Sequence, residues 1–436
     1  MKFTRTVKLL LTELRFLKRG LNWHPFIVFV VVRFIHKLRQ RMIDPNAFKS
    51  KWQAIAMPSD TTGLYERIRL PEVPANPALQ VAERTINWVI PDFGVSHGGS
   101  LNIFRFVLML ERQGYLCRIY IDGPSQFSSG AKARLSMRDH FGPIEADVVI
   151  GTDAIGPAVY TFATTWRTAY IVRAFGDTRF KCYFVQDFEP FFYAHGSEYV
   201  FAENTYRFGF VGVTAGGWLA ERLRTDYGMR TFPLGFSYDK ALYAGDNPLP
   251  KMNERPRVFF YARPPTPRRG FDLGILVLAE VVKRHPEVEI VMAGWELSAY
   301  SIPFRYVNMG ALSLETLPDL FRSCDIALVL SYSNVSLLPL ELMACGCSVV
   351  SNKGDHVEWL LNERVALLVE SEVSAMANGI CSLIENPATR MALQKAALDF
   401  CRSTDWEEEG LRLHSFLEQV RQESAAEPCY RPGCDT

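Results

Sequence analysis

From Thr85 onward the chain alternates short apolar runs with helical stretches. Residues 85–92 (TINWVIPD) have the character of a buried strand, and Gly98 and Gly99 open an apolar helical stretch from Leu101 to Leu110. The pattern predicts further strands at 116–122, 146–153, 181–187, 208–215 and 231–236, with helices between them, one of them after Gly156. A polar, proline-containing gap at 239–256 interrupts the rhythm, which then resumes with predicted strands at 256–263, 288–294, 325–333, 347–354 and 365–370. Short apolar strands alternating with helices imply parallel sheets built from βαβ units. The expected class is α/β, with two Rossmann-like domains over 85–238 and 239–404 facing each other across a cleft. A terminal helix over 405–423, crossing back to the first domain, and a flexible tail over 424–436 complete the expectation.

Residues 46–84, with prolines at 45, 58, 71, 74 and 77 along and beside them, read as a connector. The segment before it, residues 1–45, is different. Its first 41 residues hold ten Lys/Arg and a single acid, Glu13, around a leucine-rich stretch and an apolar run from Pro25 to Val32. That run is shorter than the roughly 20 apolar residues a bilayer span needs, and no small-residue cleavage site follows it. Two readings stand: a basic amphipathic helical segment lying on an anionic membrane surface, or a helix packed on the protein itself. The first implies a cytoplasmic protein peripheral to the inner face of the cytoplasmic membrane.

Bulk properties narrow the classes. A length of 436 residues, 48% hydrophobic and 22% charged, suits two buried cores. The net charge of +1 does not argue for nucleic acid as a partner. The nine cysteines lack paired CxxC spacing, so structural zinc is not expected, and their odd count fits a reducing compartment.

Three loops of the second domain carry chemistry. In YARPPTPRRG (261–270) Arg263 follows a strand, while Arg268 and Arg269 precede a helix. Forked guanidinium donors at such places can converge on a diphosphate, although a solvated basic loop has the same letters. In AGWELS, Gly294 ends a strand where a nucleotide base can lie against backbone. In SNVSLLPLE the loop Asn334, Val335, Ser336 and Leu337 leads into a helix whose start can hold an anion, and Glu341 is within reach of a ribose hydroxyl. An ordinary strand–helix–strand unit with one partly buried glutamate explains that stretch equally well. In the first domain, His97, Gly98 and Gly99 mark a strand-to-helix turn that a ligand can approach closely. QDFEPFFYAHGSE (186–198) offers Asp187, Glu189 and His195 among four aromatic rings, a mixture suited to sugar hydroxyls and C–H faces. Plain structural hydrogen bonding is the competing reading for Glu189 and His195.

The order of HGG, RPPTPRRG, NVSLLPLELMACGCSVV and a terminal DWEEE helix, spread over residues 85–422, resembles the family 4 retaining glycosyltransferases of GT-B fold. More narrowly, QDFEPFFY together with SYSNVSLLPLELMACG is similar to bacterial WsaF-like rhamnosyltransferases. The resemblance implies that Gly98 and Gly99 line the cleft, that Arg263 and Arg269 bind the diphosphate, and that Glu341 holds the nucleotide. Many family members have a second glutamate eight positions earlier, where this chain has Ser333, and a lysine where it has Arg269. A deoxysugar donor suits the serine. The implied function is transfer of a sugar, rhamnose from dTDP-rhamnose, onto a growing bacterial surface glycan with retention. The donor is then a dTDP- or UDP-sugar and the acceptor an oligosaccharide or lipid-linked glycan.

With no DxD pair present, neither a metal nor another cofactor is expected, and the two arginines would stabilise the leaving diphosphate. Arg263, Arg269, Asp187 and His195 form the candidate catalytic set, Asp187 and His195 as groups that orient the acceptor. The alternative is a degenerate nucleotide-sugar or glycan-binding subunit of a polysaccharide assembly complex.

Overall fold

The computed structural model describes residues 66–94, 98–243 and 255–426. From Arg67 onward the chain forms one compact unit. The expectations for residues 1–45, for most of the connector and for the tail fall largely outside the described residues, as does His97.

The first sheet has seven strands: β1 (Thr85–Pro91), β2 (Leu116–Asp122), β3 (Asp147–Ile150), β4 (Ala158–Ala163), β5 (Thr178–Val185), β6 (Val211–Ala215) and β7 (Arg230–Leu234). They are ordered β3-β2-β1-β4-β5-β6-β7. The second has six: β8 (Arg257–Tyr261), β9 (Glu289–Ala293), β10 (Val307–Asn308), β11 (Ile326–Val329), β12 (Ser348–Asn352) and β13 (Leu367–Val369). Their order is β10-β9-β8-β11-β12-β13. Every pairing is parallel, as in the registers Trp88 opposite Ile119 and Ile326 opposite Val258.

Two strands depart from the sequence reading. The stretch 158–163 is strand β4 and not a helix; every residue of AVYTFA is buried at the centre of the sheet, and a short, continuously apolar run has no period that tells strand from helix. The two-residue β10 is too short to leave any pattern.

The helices that frame the two sheets include α1 (Gly98–Arg112), α2 (Gly130–Phe141), α3 (Trp166–Ala174), α4 (Ser197–Asn204), α5 (Gly217–Tyr227), α6 (Phe271–Arg284), α7 (Leu317–Arg322), α8 (Leu338–Ala344), α9 (Val373–Glu385), α10 (Pro387–Ser403) and α11 (Trp406–Ala426). Helix α11 lies against the first domain. Phe416 stacks on Phe232 at 4.4 Å, Glu409 accepts from the Gly235 N–H at 2.8 Å, and the Tyr160 hydroxyl donates to the Leu417 carbonyl. The chain thus leaves the second domain to close the first, which ties the two together.

Each sheet reverses its strand order once, between β1 and β4 and between β8 and β11. Loops leaving neighbouring strands diverge there, opening a crevice beyond the carboxyl ends where ligands bind in this architecture.

Candidate active site

At the reversal of the second sheet, the loop after β8 meets the loop after β11. The β8 loop turns through Pro267–Arg269 into Gly270, whose φ of 61° is left-handed. A Cβ there would lie 2.9 Å from Leu330 Cδ1, so glycine alone lets the turn pack against the β11 loop. Arg269 then donates from Nη1 to the Ser331 hydroxyl at 2.9 Å, and the Tyr332 N–H donates to the Arg268 carbonyl.

Arg268 crosses toward the first domain. Its guanidinium sits 3.9 Å from the Phe192 ring centroid and its Nε lies 3.6 Å from Asp187 Oδ2. Arg263 donates weakly to the Tyr261 hydroxyl at 3.3 Å and lies 5.9 Å from the Trp295 ring. The Nε groups of Arg263 and Arg268 are both buried without a hydrogen-bond partner among the described residues. Burial lowers the Arg268 pKa, and Arg269 and Arg263 lower it further by repulsion against the pull of Asp187. Three guanidiniums therefore share one neighbourhood whose nearest anion is a single carboxylate. Buried donors without partners cost about 1–3 kcal/mol each, a cost that an anionic ligand would remove.

Asp187, at the end of β5, is the hub between domains. Its Oδ2 accepts from the Ser333 hydroxyl at 3.0 Å and its Oδ1 from the Asn334 N–H at 2.7 Å. Burial raises its pKa, and Arg269 and Arg268 counter that rise. Asn334 adds a second link. Its Nδ2 donates to the carbonyls of Gln186 (3.0 Å) and Ala215 (2.8 Å), while its Oδ1 accepts from Trp359 Nε1 at 2.7 Å. Gln186 in turn donates to the Gly99 carbonyl at the start of α1. The residues singled out at 98–99, 187, 269 and 334 thus come together, and Gly98 opens onto free space.

The remaining candidates make other contacts. The Glu189 carboxylate accepts the Trp166 N–H at 2.6 Å, at the start of α3, and is buried. Burial raises its pKa to about 8. In this structure it caps a helix. His195 is exposed and lies 4.8 Å from the Tyr199 ring. Gly294 ends β9 against the Tyr261 ring. The Val335 N–H is taken by the His356 carbonyl. Helix α8 starts at Leu338, with Pro339 in its first turn. Among the described residues, no group of three or more His, Cys, Asp or Glu side chains is placed to hold a metal ion. Arg268 carries more of the site than its unremarkable place beside Arg269 suggests, because only the tertiary structure turns it toward Asp187.

Glu341, on α8, faces a cavity of about 730 Å³ between the domains. Leu101 and Arg105 of α1, Tyr243 and Leu337 share its wall. Burial raises the Glu341 pKa to about 7, with Arg105 and the Tyr243 hydroxyl pulling the other way.

The same two halves recur in known proteins. A model described as the WsaF C-terminal domain matches residues 256–381, and one described as the WsaF N-terminal domain matches residues 154–214. Models of both WsaF domains thus find a match in this chain. Among its relatives, the O-antigen biosynthesis protein RfbC of Myxococcus xanthus is 34% identical over 336 residues, which are 74% of this chain and 26% of RfbC. The chain therefore spans about a quarter of that relative's length. Solved structures share the GT-B fold. Sucrose-phosphate synthase of Thermosynechococcus elongatus has a TM-score of 0.59 at 14% identity, covering 78% of this chain and all of its own. Anabaena HepE, in complex with UDP and glucose, has a TM-score of 0.58 at 16% identity, covering 77% of this chain and 99% of its own. A Rickettsia africae glycosyltransferase has a TM-score of 0.56 at 13% identity, covering 80% and 100%.

Proposed function

We propose that this protein is a glycosyltransferase that takes a sugar from a nucleotide diphosphate-sugar and adds it to a bacterial surface glycan. The observation that carries this reading is the group of three arginines at the switch point, two of them with buried Nε donors that make no hydrogen bond among the described residues. Breaking the bond from the sugar to its diphosphate leaves negative charge on the departing oxygen. Arg263, Arg268 and Arg269 supply fixed positive charge there without reorganisation. The acceptor hydroxyl attacks the sugar carbon and gives up its proton, which the departing phosphate oxygen can take. No protein nucleophile is needed, nor any metal. Glu341 is suited to accept hydrogen bonds from the nucleotide's ribose.

The donor is the finer part of the proposal. Ser333, with its hydroxyl turned to Asp187, suits a deoxysugar, and a dTDP-rhamnose donor with retention of configuration follows from the WsaF resemblance. UDP-sugar is the alternative donor, since HepE is solved with UDP and glucose. The RfbC relationship supports an O-antigen or similar polysaccharide as the setting, with an oligosaccharide or lipid-linked glycan as acceptor. Among the described residues no helix is long and apolar enough to cross a membrane. Contact of residues 1–41 with the inner membrane face is proposed from their basic, apolar sequence. Loss of membrane sedimentation on deleting residues 2–41 would support it.

The deciding experiment is a calorimetric screen of UDP, dTDP, GDP and their sugars in EDTA. Tight binding of one diphosphate, with dTDP or dTDP-rhamnose strongest, supports the transferase. A folded protein that binds none of them favours a second reading, a glycan-assembly subunit without activity, for which the engagement of Ser333 by Asp187 is the motive.

A further inference from the structure

Two neighbouring arginines at the switch point are held in different ways. Arg269 is anchored within its own domain, where Nη1 donates to the Ser331 hydroxyl at 2.9 Å and to the Asn334 carbonyl at 3.5 Å. The Arg268 side chain has no such anchor. Its Nε makes no hydrogen bond among the described residues and lies 3.6 Å from Asp187 Oδ2, within ion-pair range but too far for a good hydrogen bond. Its other hold is the face of the Phe192 ring, 3.9 Å away. Both partners belong to the first domain. The Arg268 backbone, in contrast, is fixed: its carbonyl accepts from the Tyr332 N–H at 2.9 Å, and the turn closes through the Gly270 N–H on the Pro267 carbonyl at 3.0 Å. The guanidinium can therefore swing without disturbing the loop that carries it.

Asp187 has the complementary feature. An ionised carboxylate offers about four acceptor positions. Oδ1 takes two N–H groups, from Asn334 at 2.7 Å and from Phe188 at 2.8 Å. Oδ2 takes the Ser333 hydroxyl at 3.0 Å. The fourth position is on the oxygen that faces Arg268. The three hydrogen bonds hold the carboxylate in place whether or not Arg268 stays beside it. The side chains of Arg268 and Asp187 are 24% and 13% exposed, so the pair is within reach of a ligand and not sealed in a core.

We propose that Arg268 changes partner when the donor binds: it covers Asp187 in the free protein and moves to the donor's diphosphate, which leaves Asp187 Oδ2 free to accept a hydrogen bond from the acceptor's hydroxyl. This rests on the transferase reading. A diphosphate carries more negative charge than one carboxylate, and its oxygens suit the guanidinium fork. The 3.6 Å contact with Asp187 is given up easily, because no hydrogen bond is broken. The exchange links the two substrates. The carboxylate that orients the acceptor becomes available only once the donor is in place.

The test is calorimetric binding of dTDP and UDP to wild type, D187N, R268Q, the D187N/R268Q double variant and F192L. Asparagine keeps the contact without the charge: its oxygen can take the two N–H groups, and its Nδ2 can donate to the Ser333 hydroxyl. With the competing charge gone, D187N should bind the diphosphate about tenfold more tightly than wild type, the scale of one charge-assisted hydrogen bond. F192L, which removes the ring under Arg268, should bind about threefold more tightly, and it decides the matter should D187N fail to fold. R268Q should bind more weakly, and adding D187N to it should change affinity by less than about threefold; plain repulsion between Asp187 and phosphate would act equally in both backgrounds. A crystal structure with the diphosphate bound should show Arg268 on a phosphate oxygen and away from Asp187. If folded D187N or F192L binds no more tightly than wild type, if D187N acts equally with and without Arg268, or if Arg268 still pairs with Asp187 in the complex, the proposal falls while the transferase reading survives. If wild type binds neither dTDP, UDP nor any other diphosphate of the screen, the transferase reading falls and takes the proposal with it.

Discussion

Replacing Asn334 by alanine tests the domain contact most directly. Asn334 is 1% exposed, and its side chain makes three hydrogen bonds of 3.0, 2.8 and 2.7 Å. The alanine variant leaves the carbonyls of Gln186 and Ala215 and the Trp359 indole N–H without this partner. Each orphaned buried group costs about 1–3 kcal/mol. The low end fits here, because water can follow into a domain interface, so the sum is about 3 kcal/mol. Unfolding entropy of about 2.1 cal/mol/K per residue, over roughly 360 residues, converts this to a drop in Tm of about 4 °C. Two of the three bonds join the domains, so the cooperative transition should also broaden or split. Differential scanning calorimetry reads both effects. A single transition moved by less than about 1 °C would refute the reasoning and mean that the domains hold together without this contact.

Four further outcomes are expected. Gly216→Ala puts a Cβ 2.4 Å from Trp359 Cε2 at a backbone φ of 91°; thermal denaturation should show a larger loss than for Asn334→Ala, and near-native stability would mean that Trp359 moves freely. Arg268→Ala should weaken nucleotide diphosphate binding about tenfold or more by calorimetry, the scale of a charge-assisted hydrogen bond, and unchanged affinity would confine Arg268 to its contacts with Phe192 and Asp187. Glu341→Ala should weaken nucleotide binding on the same scale, whereas full affinity would move the ribose elsewhere. Burial raises Glu189 to about 8 and Glu341 to about 7, so between pH 4.5 and 8 the folded protein holds protons that the unfolded chain has released. That stability is present at low pH and declines as pH rises through this window. Glu189→Gln should flatten part of the decline in Tm between pH 6 and 8.5, and an unchanged slope would show that Glu189 is not the group concerned.

Much of this protein was legible in its letters. Runs such as LCRIYID and VEIVMAG become strands because continuous apolar residues can be buried on both faces of a parallel sheet, and the alternation with helices implies two doubly wound halves. The arginines after β8 and the glutamate on α8 were visible because a strand end followed by a helix start is a local pattern. AVYTFA was not readable as a strand, since a short buried run has no period. Strand order, and with it the crevice where the arginines gather, depends on pairings between residues far apart in sequence. The same holds for Glu189, a capping group for α3 because Trp166 folds against it, and for Arg268, whose partner Asp187 belongs to the opposite domain. The sequence by itself determined the elements and the types of side chain at their ends, because those follow from local periodicity. Only the tertiary structure decided which charges face each other and which are left without partners, because burial and distance are properties of the packed chain.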